Sequence, residues 1–227
     1  LEASAQRARA DFADRVVWHV NATAQGGGVA EMLQTLLAYG KGAQIENRWL
    51  VIDADQEFFA ITKRLHNRLH GAEGDGGELG GHEHAHYEQV LAANVVALTS
   101  RVSSGDLVML HDPQTAGLCE ALLESGARVI WRCHIGCDDS NEQTDQGWAF
   151  LRPYVEHADA FGQAIAGGDD QYRHARAATA QATQYLAAID RGQAQIQYQK
   201  VIVMLAQRGI GEVAGGHVIH RMAAMAQ

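Results

Sequence analysis

An α/β domain built on a parallel β-sheet flanked by helices is the fold class that this sequence predicts, and three observations predict it. Short apolar, partly β-branched runs recur at residues 16–20 (VVWHV), 49–52 (WLVI), 107–110 (LVML) and 129–132 (VIWR). Each of the first three is followed by a stretch whose apolar residues return at three- and four-residue steps, as one face of a helix requires. Polar segments rich in glycine or histidine stand at the carboxyl ends of these runs, where open parallel sheets bind their ligands. Strands alternating with helices close into a parallel sheet with right-handed crossovers, a Rossmann-like arrangement.

The elements follow in order. Residues 1–14 mix Arg7, Arg9, Asp11 and Asp14 with alanines and predict an exposed helix. The first strand stops at Asn21 and Thr23, and Gly26, Gly27 and Gly28 lead into a helix whose face carries Val29, Met32, Leu33, Leu36 and Leu37. Gly40 and Gly42 close that helix. After the second strand, Phe58, Ile61, Leu65 and Leu69 mark a second amphipathic helix over 58–70. Residues 71–86 are mainly glycines, acids and histidines and predict a mobile surface loop. Helical periodicity returns over 87–101. The third strand ends at His111, Asp112, Pro113 and Gln114, with a helix over 115–125, and the fourth ends at Cys133 and His134. The domain so defined spans 1–161. Residues 162–227 are rich in Ala, Gln, Arg and Thr with a weak apolar stripe, and predict a mainly helical tail.

Bulk properties exclude several function classes. With 227 residues, 47% hydrophobic and 20% charged, and two prolines, the chain has a globular composition. A net charge of −9 opposes a nucleic-acid partner, because phosphate-backbone binding draws on clustered Lys and Arg. The apolar runs are strand-sized, far below the ~20 residues of a membrane helix. Residues 1–14 carry no apolar core of signal-peptide type. Cys119, Cys133 and Cys137 are odd in number and lack a second closely spaced pair, so neither a disulfide framework nor a zinc site is expected. Those features imply a cytoplasmic protein without a metal or cofactor. Homo-oligomerisation is left open.

Several residues could carry chemistry. Gly26, Gly27 and Gly28 join a strand to a helix, so their amides and the helix amino terminus can face an anion while a ligand approaches the backbone closely. They do not complete a dinucleotide fingerprint, because Glu31 stands where its third glycine must pack. Asp53 after the second strand keeps a nicotinamide-dependent oxidoreductase as a minor alternative. His111 can donate to a sugar hydroxyl and Asp112 can accept from one, although Asp at that position also serves as a helix cap. Alternation puts Arg132 and His134 on one side of the neighbouring strand. On the second helix, Glu57, Thr62, Lys63 and Asn67 could line an acceptor pocket or a solvated face. His82, His84 and His86 are metal-spaced, but their loop setting makes incidental solvent exposure the expectation. No G-x-S-x-G elbow is present to support covalent hydrolysis.

Four blocks in order, HVNATAQGGGVAEML (19–33), EFFAITKRLHNRLHG (57–71), LHDPQTAGL (110–118) and WRCHIGCD (131–138), with WAFLRPYVEHADAF (148–161), resemble the amino-terminal domain of trehalose glycosyltransferring synthases. The resemblance implies one half of a GT-B fold. It also implies transfer of glucose from a nucleoside diphosphate glucose to an acceptor glucose with retention of configuration. By the same resemblance, Gly26, Gly27 and Gly28 would face the donor diphosphate and the acceptor. Glu31, Glu57 and Thr62 would assist substrate binding. His111, Asp112 and Gln114 would sit at the acceptor sugar, and Arg132 and His134 would flank the reaction centre. In that family most diphosphate contacts come from a second Rossmann-like domain, whose strand–helix alternation is not found in 162–227. The chain is therefore expected to be an acceptor-side domain, inactive alone. The alternative on the same fold is a sugar- or nucleotide-binding module without turnover.

Overall fold

The computed structural model describes residues 12–137 and 139–163, with residues 6, 9 and 10. Five strands are present in this region: β1 (Val17–Asn21), β2 (Asn47–Val51), β3 (Leu107–His111), β4 (Arg128–Cys133) and β5 (Ala160–Gln163). They pair in the order β2-β1-β3-β4-β5, and every pairing is parallel. Between them lie α1 (Gly28–Gly42), α2 (Gln56–Leu69), α3 (Gly81–Thr99), a 3-10 turn (Pro113–Leu118), α4 (Cys119–Glu124) and α5 (Glu142–Val155). The chain steps outward from β1 to β2 and then returns across β1 to β3, so the winding direction reverses between β1 and β3. With right-handed crossovers, α1 takes one face of the sheet and α2 to α5 take the other.

Burial follows this division. Trp18 and Val20 of β1, Val108 and Leu110 of β3, and Val129, Trp131 and Cys133 of β4 join one core cluster with Phe58, Ile61, Leu65, Tyr87, Leu91 and Phe150 from the helices. Strand alternation sends Val17, Leu107, Met109 and Ile130, all buried, to the opposite face. His19 and His111 belong to that same face and are 1% exposed each. Two imidazoles therefore lie within the sheet's packing, where an apolar pattern would place valine or leucine.

The parallel sheet matches the sequence prediction, with strand limits shifted by one or two residues. Three local expectations need correction. β5 has no apolar run to announce it, and joins the sheet through its register with β4, Ile130 opposite Ala160 to Cys133 opposite Gln163. The loop expected over 71–86 ends early, because α3 begins at Gly81, where the Glu83 carboxylate accepts the Gly80 N–H at 2.9 Å. Of its histidines, His82 is exposed as expected, whereas the His84 ring lies 3.8 Å from that of Phe150 and His86 Nε2 is 2.9 Å from Asp55 Oδ1. The helix expected over 115–125 is a 3-10 turn before a short α-helix. The Tyr87 hydroxyl holds that turn, donating to Pro113 O at 2.6 Å and accepting from Gly117 N at 3.0 Å. The helix expected over 1–14 falls largely outside the described residues, and the helical tail lies outside them beyond residue 163.

A buried carboxylate secures the amino-terminal edge of the sheet. Asp106, 5% exposed, accepts from Val16 N, Trp18 Nε1 and Ser103 N, each at 2.9 Å. An unsatisfied buried donor costs roughly 1–3 kcal/mol. Asp106→Ala is therefore expected to lower unfolding free energy by about 3 kcal/mol or more in urea titration, and a loss under ~1 kcal/mol would contradict this assignment.

Candidate functional site

The reversal between β1 and β3 is where doubly wound sheets bind ligands, and a cleft of about 480 Å³ opens there. Asn21, Ala22, Thr23 and the glycine loop form one wall, and His111, Asp112 and Gln114 form another. His134 and Ile135 close it from β4, and α2 contributes His66. The volume lies within the range of small-molecule sites.

The glycine loop is shaped by backbone geometry. Gly26 and Gly27 have φ of 74° and 94°, conformations that favour glycine. A Cβ placed on Gly26, Gly27 or Gly28 would meet nothing within 4 Å, so the surface above them is open. Gly27 is the N-cap residue of α1 and offers no side chain to its first amides. Those orphan N–H groups suit an acceptor or an anion.

Asp112 is the most constrained residue of the opposite wall. Its φ of 65° and ψ of 174° place it in a region that is almost the preserve of glycine, at a cost of roughly 1–3 kcal/mol. Besides the Thr115 N–H, which donates to its carbonyl at 3.2 Å, four contacts hold it there. Its N–H donates to Arg132 O at 2.8 Å, its carbonyl accepts from Trp131 Nε1 at 3.0 Å and Thr115 Oγ1 at 3.2 Å, and its Oδ1 accepts from His134 N at 2.7 Å. Although Asp112 occupies the N-cap position of the 3-10 turn, its side chain makes no capping bond. It spends one carboxylate oxygen on the neighbouring strand end instead. Burial raises its pKa to about 6, against the opposing pull of the His134 N–H and the Arg132 charge.

The histidines are driven the other way. His19 is brought down to about 4 and His134 to about 3, in both cases chiefly by burial, with the Arg132 guanidinium adding to it. His111 is pushed well below its usual range by burial and then by the neighbouring histidines and Arg132. His111 bridges the other two, with Nε2 3.2 Å from His19 Nδ1 and Nδ1 2.9 Å from His134 Nε2. The cluster is thus a string of neutral rings beside a fixed cation. Among the described residues no group of three or more metal-ligating side chains is assembled.

Of the residues singled out in the sequence, Gly26, Gly27, Gly28, His111, Asp112, Gln114 and His134 meet in the cleft. Arg132 lies behind it, paired in register with His111, and acts there through its charge. Three residues lie elsewhere. Glu31 is exposed on the first turn of α1, Thr62 is buried with its hydroxyl donating to Phe59 O at 3.4 Å, and Glu57 faces His82 and His86 of α3. The α2 contribution comes one turn beyond Thr62, from His66, whose polarity beside the apolar stripe at Leu65 and Leu69 was the available signal. Gln114 Oε1 is enclosed without a hydrogen-bond partner among the described residues.

Fold and cleft together define a doubly wound α/β domain with an open cleft at its topological switch point. The chain belongs to the family of trehalose synthase N-terminal domains, whose family model matches residues 19–166. It is 40% identical over 141 residues to trehalose synthase of Rubrobacter xylanophilus, covering 61% of this chain and 33% of that protein. It is 37% identical over 163 residues to trehalose synthase of Thermococcus litoralis, covering 71% and 37%. The chain thus spans about a third of the length of these relatives. Among solved structures, α,α-trehalose 6-phosphate synthase from Burkholderia multivorans aligns with a TM-score of 0.44 at 15% identity, covering 65% of this chain and 39% of that one. No helix among the described residues is long and apolar enough to cross a membrane.

The opposed pKa shifts define a pH response. A histidine with a lowered folded pKa takes its proton only on unfolding, so stability is full above 6.5 and is lost as pH falls towards the folded value. Asp112, raised to about 6, opposes this by favouring the folded state at low pH. Three histidines outweigh one carboxyl, each proton contributing up to ~1.4 kcal/mol per pH unit. Unfolding free energy of the full chain is expected to rise from pH 4 to pH 6.5, with a shallower rise in His111→Asn. A wild-type profile that is flat or falling over this window would contradict the neutral buried cluster.

Proposed function

We propose that this cleft is the acceptor-sugar side of a retaining GT-B glucosyltransferase that transfers glucose from a nucleoside diphosphate glucose to glucose, giving an α,α-linked disaccharide. The observation that carries the reading is the convergence of Asp112, Gln114 and His134 opposite the open glycine loop in one cleft. Gln114 lines this cleft, and a side-chain amide can both donate to and accept from the hydroxyls of a hexose. Asp112 adds a second acceptor in its other carboxylate oxygen. The orphan amides at the start of α1 suit the donor diphosphate, and the Arg132 charge favours negative charge developing nearby.

Retention without a protein nucleophile fits a same-face displacement in which the protein positions the reactants and stabilises charge. The described residues supply the acceptor wall and one anion-facing loop. Further contacts to the diphosphate are assigned to a donor domain outside them. A non-catalytic sugar-binding module would use the same wall, and the two readings part at turnover.

Glucose is expected to bind the full chain weakly in calorimetry, and Gln114→Ala to weaken it about tenfold, the loss of roughly one hydrogen bond. Incubated with UDP-, ADP- or GDP-glucose and glucose, the 227-residue chain should give no sustained disaccharide formation. Absence of glucose binding would overturn the acceptor-site reading. Multiple-turnover synthesis abolished by His134→Ala would overturn the assignment of the donor contacts to another domain.

A further inference from the structure

A chain of hydrogen bonds runs from the edge strand β2 into the glycine loop. In the β1–β2 register His19 stands opposite Trp49 and Asn21 opposite Val51, so Trp49 and Asn21 share one face of the sheet as diagonal neighbours. Trp49 Nε1 lies 2.7 Å from Asn21 Oδ1, and Asn21 Nδ2 lies 2.8 Å from the Thr23 carbonyl oxygen. Thr23 Oγ1 in turn lies 3.2 Å from the Gly26 carbonyl oxygen. Among the described residues, no main-chain group of 22–26 bonds to another main-chain group, so these side chains hold the loop.

The chemistry of its members fixes the direction of this chain. An indole nitrogen only donates and a peptide carbonyl only accepts. Asn21, 4% exposed at the end of β1, therefore turns Oδ1 to Trp49 and Nδ2 to Thr23, the one amide orientation that satisfies both neighbours. The Thr23 hydroxyl then spends its hydrogen on Gly26. A phenylalanine at position 49 would fill the same place on β2 and offer Asn21 no donor.

Held carbonyls decide where the following amides face. In a planar trans peptide the C=O and the next N–H point in opposite directions. With Gly26 O drawn to the Thr23 hydroxyl, the Gly27 N–H is turned the other way, and it has no partner among the described residues. The φ of 74° at Gly26 and 94° at Gly27 accommodates this turn, and both residues line the cleft. We propose that Trp49, acting through Asn21 and Thr23, positions the glycine loop so that the Gly27 N–H joins the first amides of α1 as a donor to the cleft. Trp49, Asn21 and Thr23 are positioning residues in this scheme. Its functional meaning rests on the reading of the loop as the anion-facing wall: a loop free to turn its Gly26 carbonyl outward would set an acceptor against a diphosphate oxygen.

The test is a proton–nitrogen correlation spectrum of the 15N-labelled full chain without ligand. In Trp49→Phe the Gly26 and Gly27 amide signals are expected to shift and broaden, while those of Gln114 and His134 on the facing wall stay in place. Asn21→Asp keeps an oxygen for the indole but no donor for Thr23, so the Trp49 indole proton should stay hydrogen-bonded while the glycine pair is still released. Thr23→Val, at an exposed position, removes only the last bond and serves if the buried variants fail to fold. Thr23→Ser, which keeps the hydroxyl, should restore the wild-type signals. Unchanged Gly26 and Gly27 signals in folded Trp49→Phe, Asn21→Asp or Thr23→Val would overturn the proposal, as would Thr23→Ser signals displaced as far as those of Thr23→Val. The spectra require no ligand, so this result is independent of whether an anion or glucose binds.

Discussion

The site depends on one strained residue, Asp112. Its φ of 65° turns the chain sharply at the end of β3, and this turn aims its carboxylate at the backbone of the next strand end, 2.7 Å from His134 N. Without that turn, β3 would run directly into the 3-10 turn and the two strand ends would be joined only through the sheet ladder. The backbone bonds to Arg132 O, Trp131 Nε1 and Thr115 Oγ1 leave the residue no second arrangement. Strain of this kind persists where its surroundings over-determine it, and such places cluster at functional sites. The same residue then carries a carboxyl with a pKa raised to about 6 into the cleft, so geometry and electrostatics are set by one side chain.

Around Asp112 the protein solves an electrostatic problem. Burying charge near the middle of a sheet costs far more than burying a hydrogen-bonded neutral group. Histidine meets the need for polar atoms at the cleft without charge, because burial, the largest cause in each case, holds the rings below their ordinary range. Each ring then satisfies its neighbour, so the string crosses β1, β3 and the end of β4 while every nitrogen between its ends has a partner. Arg132, which adds to the depression of all three, keeps a positive potential beside neutral rings.

Much of this architecture was legible in the sequence, for physical reasons that also mark the boundary. The central strands showed because a strand buried on both faces of a parallel sheet reads as an apolar run, as at 107–110, and the edge strand β2 showed through WLVI although its residues are only partly buried. β5, four residues reading AFGQ, is held by its neighbour's ladder and so left no such run. The glycine loop, His111, Asp112, Gln114 and His134 were legible because polar residues at the carboxyl ends of parallel strands converge by topology. Glu57 and Thr62 were misplaced because helical spacing fixes which residues share a face but not which turn reaches a cleft. The start of α3 was missed because its glycines and histidines are poor helix signals, and contacts with Phe150, Tyr154 and Asp55 override them. His19 gave no warning, since the pairing of β1 with β3 that brings it beside His111 joins strands far apart in sequence.

The glycine loop and the wall facing it differ in the hydrogen-bonding groups they carry. A Ser, Asp or Asn at position 27 would cap α1 and add about 1 kcal/mol of helix stability, yet it would also fill the space over the first amides. With glycine there, the helix start remains uncapped by any side chain and open on its outer side. Donors therefore dominate the loop wall, while the opposite wall carries the Asp112 carboxyl and the Gln114 amide. An anionic group is drawn to the first wall and a hydroxyl-bearing group to the second. Because both walls hang from adjacent strands, β1 and β3, the distance between the two binding chemistries is fixed by the sheet itself, and a ligand pair bridging them would be aligned without any movement of the domain.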